Sequence, residues 1–349
     1  MKRFIGITTE GVFHALRPLI RLNMKRFILG QTPFFAGRHG SNVRRLSSKA
    51  PSSARTVNTT VASPVPASPI PATTAHAEAA SSSLEGRVAI VTGAGSRTAD
   101  IGNGRAAAIL LSRRGAKVLL LDAELAPARE TERMIAAEGG TAMATPCDVS
   151  DAAQCEQAVR MAVEAWGRVD ILVNNVGIGG PAGNAVDLDI EEWDRALRVN
   201  VTSMMLMAKY AIPEMRKVGR GAIVNIASVA GLIGGTPALL YPTSKGAVVN
   251  MTRAMASHHG VEGIRVNCVA PGMVYTPMVA GRMTPEVREQ RRKRSLLQTE
   301  GSGWDVGQAV AYLASDEARW VTGVILPVDA GTTAGNAPSP GLKPDAKAA

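Results

Sequence analysis

The chain has 349 residues, 46% of them hydrophobic, enough to bury a full core in one or two domains. Its formal charge of +10 sits almost wholly at the N-terminus, where 11 Lys and Arg stand against 2 Asp and Glu up to Ser83, so the nearly neutral remainder offers no nucleic-acid surface. Cys147, Cys155 and Cys268 form no CxxC pair, which argues against a disulfide framework or a zinc site and for a reducing compartment, and no apolar run nears the roughly 20 residues needed to span a bilayer.

Residues 1–49 mix basic and apolar residues around one acid, Glu10. This composition suits a mitochondrial transit peptide, and Arg44-Arg45-Leu46-Ser47-Ser48 resembles a matrix-protease site. MKRFI also occurs at both Met1 and Met24, so an internal start is the alternative, and the expected address is mitochondrial matrix or cytoplasm. Residues 50–83 are mostly Ala, Ser, Thr and Pro and bury too little apolar surface to offset ordering entropy. They are expected to be a disordered linker.

From Arg87 the pattern changes. RVAIV, KVLLLD, the stretch before Cys147, and VDILVN read as buried strands. Helical runs separate them: RAAAILLSRRG, APARETERMIAAEGG and AAQCEQAVRMAVEAWG. Strands alternating with helices mean βαβ units and a parallel sheet, whose doubly covered strands are continuously apolar.

The loop after the first strand carries Gly93, Gly95, Gly102 and Gly104. Glycines there let backbone amides approach a pyrophosphate at the following helix N-terminus. An ordinary βα turn is the plainer alternative, because eight residues separate Gly93 from Gly102. Asp122, closing the second strand, could accept from both adenosine ribose hydroxyls and repel a 2′-phosphate, favouring NAD over NADP; it could also be a helix N-cap. Arg97 could instead meet a 2′-phosphate.

IEEWDRALRVNVTSMMLMAKYAIPEM reads as one long helix carrying Asn200, which is either a satisfied structural amide or a relay group. Ile223 to Ala227 reads as a strand, followed by Ser228 in a loop of small residues. Tyr241 and Lys245 follow four apart, with a helix expected from about Lys245. At that spacing both can face one site. His258 and His259 at the end of that helix suit its C-terminal dipole and are given no catalytic role. GIRVNCVA leads to Pro271-Gly272 and Thr276, then a basic segment of mobile character runs to about Glu300. GWDVGQAVAYLASDEARW reads as a helix, VTGVILPVDAG as the last strand, and residues 333–349 as a disordered tail.

These residues, in this order, resemble the short-chain dehydrogenase/reductase family over residues 84–332. The resemblance rests on Thr92-Gly93 with Gly102 and Gly104, on Asp122, on Cys147-Asp148-Val149, and on Asn174-Asn175-Val176-Gly177. It continues through Asn200, Ser228, Tyr241-Pro-Thr-Ser-Lys245, Pro271-Gly272 with Thr276, and Val328-Asp329-Ala330-Gly331. It implies a single doubly wound Rossmann-type α/β domain with a seven-stranded parallel sheet, and a homotetramer or homodimer. The glycine loop departs from the family pattern by about five extra residues around Ser96 to Asp100.

The implied activity is NAD(P)-dependent interconversion of a secondary alcohol and a ketone. Tyr241 would be the acid/base, its pKa of ~10 lowered by the neighbouring Lys245 ammonium and the cofactor's positive nicotinamide. Ser228 would hold the substrate oxygen, and Asn200 a water linking Lys245 to solvent. Asp122 would take the adenosine ribose, Asp148 and Val149 the adenine, and Lys245 the nicotinamide ribose. Asn175 and Gly177 would line the fourth strand's end, with Thr276 on the carboxamide beyond Pro271-Gly272. Small or aliphatic residues in 178–181, 230–240 and 273–282 point to an apolar small-molecule substrate; the basic run Arg288 to Arg294 is read as a solvated helix face. An NADP-dependent 3-oxoacyl-type ketoreductase and a non-catalytic dinucleotide-sensing scaffold are the competing readings.

Overall fold

A computed structural model describes residues 81–98, 100–281 and 283–336. The expectations for residues 1–49, for nearly all of the linker and for most of the C-terminal tail fall outside them. The described chain opens with β1 (Val88–Thr92), α1 (Asn103–Arg113), β2 (Lys117–Asp122), α2 (Leu125–Ala137), β3 (Ala142–Pro146), α3 (Ala152–Trp166) and β4 (Ile171–Asn174). It continues through α4 (Ile190–Leu197), α5 (Ser203–Val218), β5 (Gly221–Ile226) and α6 (Leu240–His259). It ends with β6 (Ile264–Pro271), α7 (Pro277–Ala280), α8 (Pro285–Lys293), α9 (Gly303–Ala314) and β7 (Ile325–Val328).

The strands form one parallel sheet of seven in the order β3-β2-β1-β4-β5-β6-β7. Alternate residues of each strand point to opposite faces. Ala89, Val91, Val118, Leu120 and Val224 pack with Leu111 of α1, Ile135 of α2 and Val310 of α9. Val88, Ile90, Leu119, Leu121 and Ile223 pack with Cys155 of α3 and Met207 of α5. Covered on both faces, VAIVT and GAIVNI have no exposed position, hence their mostly apolar pattern. Pro146, which lacks an N–H, sits at the end of the edge strand β3, where it is tolerated. The chain steps outward from β1 to β3, then crosses back to β4. The C-terminal ends of β1 and β4 are therefore the switch point, where open α/β sheets leave a crevice.

Three expectations change. The single helix over Ile190 to Met215 is two helices joined by a π-turn at Arg198–Thr202, with Asn200 inside the turn. A widened turn displaces the side chains that follow from the regular spacing, and such bulges gather at functional sites. α6 starts at Leu240 rather than near Lys245, because Pro242 falls in its first turn, where a missing N–H costs no helical bond. The basic stretch after Met273 folds into α7 and α8, each opened by a proline just after a threonine N-cap.

Candidate active site

β5 delivers the chain to Ser228. Its extended backbone caps a short 3₁₀ turn, Val229–Gly231, and its Oγ accepts from the Ala230 N–H at 3.2 Å. The same hydroxyl lies near enough to the Tyr241 phenol to favour its ionised form. Gly231 makes this meeting possible, since a Cβ there would lie 2.5 Å from the Lys245 carbonyl carbon and 2.7 Å from the Gly246 nitrogen. Only glycine lets the turn lie directly on the α6 backbone. The sequence marked this position merely as one of several small residues.

Lys245 follows one turn after Tyr241, with Nζ 5.8 Å from the Tyr241 ring centre. It is 3% exposed and donates to the Ile226 carbonyl at 2.9 Å. Burial lowers its pKa to about 8, with a small opposing pull from Cys268. Burial likewise raises the Tyr241 phenol above its ordinary value, offset in part by the Ser228 hydroxyl. In the protein alone, without the nicotinamide charge that the expectation also invoked, the phenol moves upward. Both groups are removed from water, and desolvation penalises each charged form more than the lysine's proximity favours the phenolate.

Asn200, fully buried in the π-turn, has its amide occupied. Oδ1 accepts from the Ile178 N–H at 2.8 Å, while Nδ2 donates to the Ile178 carbonyl at 2.9 Å and to Ser244 Oγ at 3.0 Å. Ser244 in turn donates to the Tyr241 carbonyl at 2.8 Å. Asn200 thus ties the loop after β4 to the first turn of α6, and one Oδ1 lone pair stays available to another donor. Ser244, fully buried, is a positioning residue that sequence reasoning missed. Its place between Tyr241 and Lys245 was the only signal. A Cβ on Gly177 would meet Lys245 Nζ at 3.0 Å and Asn200 Oδ1 at 3.5 Å, so Gly177 leaves room where both face.

The glycine loop lies at the switch point. Gly93 has φ +62°, and a Cβ on Gly104 would lie 2.0 Å from the Gly93 carbonyl oxygen, so the loop closes on α1 through bare backbone. Asn175 fastens this turn to β4, its Nδ2 donating to the Thr92 and Gly93 carbonyls at 3.1 and 3.0 Å. Asp122 accepts from the Gly95 N–H at 3.0 Å and the Glu124 N–H at 3.2 Å. It is not the α2 N-cap, a position held by Glu124. Gly102 caps α1 without a side-chain bond, and Ser96 Oγ and Asn103 Oδ1 are buried with no partner among the described residues. Uncapped amides with orphaned polar atoms beside them fit a bound pyrophosphate.

The extra loop residues are held by Arg105. It is 1% exposed and donates to the Thr98 and Asp100 carbonyls (3.2 Å each), the Pro127 carbonyl (3.3 Å) and Thr131 Oγ1 (3.0 Å). In the sequence Arg105 was simply the start of a helical run. Asp148 is exposed, its Oδ1 accepting from Ser150, and Val149 is buried beside it. On the other side of the crevice, a Cβ on Gly272 would lie 2.6 Å from Asp329 Cα, so the turn after Pro271 passes tightly under the chain leaving β7. Thr276 opens α7 with no side-chain capping bond.

The basic run on α8 is only partly a solvated face. Arg288 pairs with Glu300 and stacks 3.7 Å from the Tyr275 ring centre, and Arg292 pairs with Glu289. Arg291 turns inward, with burial lowering its pKa and its Nε lacking a partner among the described residues. Leu232, Ile233, Leu239 and Met278 are left open to solvent on the segments flanking Ser228, Tyr241 and Thr276.

The chain was compared with known proteins. A family model described as Enoyl-(Acyl carrier protein) reductase matches residues 98–333. The meso-2,3-butanediol dehydrogenase of Serratia marcescens is 39% identical over 72% of this chain and 96% of its own length. The cis-4-hydroxycyclohexanecarboxylate dehydrogenase of Sinomonas cyclohexanicum is 38% identical over 71% of this chain and 97% of its own. A 7α-hydroxysteroid dehydrogenase solved with NADH and 7-oxoglycochenodeoxycholic acid superposes with a TM-score of 0.67 at 35% identity, covering 72% of this chain and 95% of that one.

Proposed function

Because the chain belongs to the short-chain dehydrogenase/reductase family and is an oxidoreductase interconverting secondary alcohols and ketones with a nicotinamide dinucleotide, we propose that Tyr241 is its acid/base and Ser228 its substrate-oxygen ligand. One observation carries this reading: the Ser228 hydroxyl acting on the Tyr241 phenol, with Lys245 buried one turn further along the same helix. The nicotinamide, when bound, gives or takes the hydride at the carbinol carbon. The protein's own task is the proton on oxygen. In reduction the Tyr241 phenol donates its proton to the substrate oxygen while the Ser228 hydroxyl holds that oxygen in line. In oxidation the same phenolic oxygen must take the proton back. A phenol raised by burial stays protonated, so the oxidative direction, which needs the phenolate, needs added positive charge beside it. Lys245, ionising near 8, supplies that charge below its pKa and holds the nicotinamide ribose.

The cofactor would lie with its pyrophosphate on Gly93, Gly95, Gly102 and Gly104, its adenine by Asp148 and Val149, and its carboxamide near Thr276. Asn175 and Gly177 line the crevice between. Asp122, retaining acceptor capacity beyond its two backbone bonds, favours the ribose hydroxyls of NAD over the phosphate of NADP. Arg105, the loop's buried cation, is committed to the loop's own carbonyls, which leaves a 2′-phosphate less well matched. The exposed aliphatic rim supports an apolar alcohol or ketone. Residues 84–332 would form the complete catalytic domain, assembled as a homotetramer or homodimer.

Tyr241→Phe should lower kcat by about 10²–10⁴-fold while NADH still binds. A variant keeping more than about a tenth of the wild-type rate would remove Tyr241 from this role. Comparing NADH and NADPH kinetics separates an NAD enzyme from an NADP-dependent ketoreductase. Asp122→Ala should erode NAD preference, whereas unchanged selectivity would leave Asp122 as an anchor for the Gly95 amide alone.

A further inference from the structure

The cofactor and catalytic groups all lie where the parallel strands end. Where β1, β4, β5 and β6 begin, a cavity of about 440 Å³ opens. β5 alone, six residues long, sets this cavity ~20 Å from Ser228. Its walls carry Arg87, Arg220, Arg265 and Arg319 against Asp170 and Asp316.

Those two carboxylates are already engaged. Asp316 pairs with Arg87. Asp170 receives Arg168 at 2.6 and 2.8 Å and the Val88 N–H at 3.0 Å, and lies 3.8 Å from Arg220. The neighbouring acids Glu262 and Glu317 are taken by Arg216 and Arg114. Arg265 donates to the Leu313, Ser315 and Val321 carbonyls at 2.8, 3.1 and 3.3 Å, contacts that aim its guanidinium without neutralising it. Burial lowers the Arg265 pKa, opposed by Asp316 and reinforced by repulsion from Arg87. The cavity wall therefore keeps an excess of positive charge, on a body that is nearly neutral outside its N-terminal extension.

A purely architectural role accounts for Arg87 and Arg265, which brace the strand starts. It does not account for Arg319, exposed and with no ion-pair partner among the described residues, or for Trp320 beside it, 96% exposed. A large flat ring beside guanidiniums is a surface for stacking a planar group, and guanidinium forks match phosphate oxygens.

We propose that this cavity is a second ligand site, independent of the reaction above, for a phosphorylated small molecule carrying a flat ring. Arg220 and Arg319 take the phosphate oxygens, with Arg265 behind them, and the ring lies against Trp320. The test is calorimetric titration of the full chain, saturated with NADH so that the dinucleotide crevice is filled, using inorganic phosphate and phenyl phosphate as probes.

Phenyl phosphate should bind with a Kd of about 1 mM or tighter, and several-fold more tightly than inorganic phosphate. Arg220→Gln with Arg319→Gln should weaken both probes about tenfold or more and leave kcat/KM for alcohol oxidation unchanged. Arg319→Gln alone, at an exposed position, should give a smaller loss of the same kind with an unaltered Tm. Trp320→Ala should remove only the preference for the ring. Equal affinity in the double variant would overturn the proposal, as would binding that NADH abolishes, because that places the probe in the dinucleotide crevice. No binding, together with a Trp320→Ala change of oligomeric state in light scattering, would overturn it in favour of a face between copies of this chain.

Discussion

The glycine loop and the Ser228–Tyr241–Lys245 unit both follow C-terminal strand ends but are built differently. The proposed catalytic unit is mostly local: one strand end, one short turn and the first two turns of α6 bring its three groups together. The glycine loop is assembled from a distance. Arg105 on α1 reaches the loop and α2, Asn175 reaches it from β4, and Asp122 reaches it from β2. Helical periodicity suffices to aim two side chains four residues apart. An irregular loop has no periodicity, so its shape is set by whatever partners the fold supplies.

The sharpest way to break this contrast is a pair of glycine substitutions. Gly104→Ala places a Cβ 2.0 Å from the Gly93 carbonyl oxygen, and Gly231→Ala places one 2.5 Å from the Lys245 carbonyl carbon. Overpacking against backbone costs roughly 1–3 kcal/mol. Gly104→Ala should weaken NADH binding about ten- to hundredfold, whereas Gly231→Ala should lower kcat by a similar factor with NADH affinity preserved. Fluorescence titration and steady-state kinetics separate the two. If both variants lose cofactor binding alike, the two regions are one unit and the distinction falls.

A next test removes the loop's brace. Arg105→Met leaves the part-buried carbonyls of Thr98, Asp100 and Pro127, and the buried Thr131 Oγ1, without that donor. Urea unfolding should show a loss of about 2–4 kcal/mol. Arg105→Lys should recover little, because one ammonium cannot span the carbonyls that a planar fork reaches. Full recovery by lysine would reduce Arg105 to a simple charge.

The Ser228–Tyr241–Lys245 unit has its own signature, in pH. Lys245 ionises near 8 in the folded chain and near the ordinary 10.5 when unfolded. Between those values the unfolded state binds the extra proton, so stability rises with pH through this window. Below pH 8 the penalty of the buried ammonium is present in full, of order 3 kcal/mol. Lys245→Met should therefore be more stable than wild type at pH 7, with the difference closing towards pH 10. A difference that does not change with pH would show that Lys245 keeps an ordinary pKa.

The amino-acid pattern alone determined the parallel α/β architecture, since strands buried on both faces must be continuously apolar and helices must show their own period. It also determined which groups could do proton chemistry, because Ser228, Tyr241 and Lys245 share one strand–turn–helix unit. Tertiary structure decided the rest. It placed Asn200 in a π-turn, where its amide is spent on Ile178 and Ser244, and it raised the Tyr241 phenol through burial. It converted Arg105 from a helix residue into the brace of the extra loop, turned Arg291 inward, and gathered arginines from residues 87 to 319 around one cavity. Spacing along the chain reports which side chains share a helix face or a strand. Desolvation, ion pairing and long-range hydrogen bonds depend on segments far apart in sequence, so only the folded molecule brings their terms together.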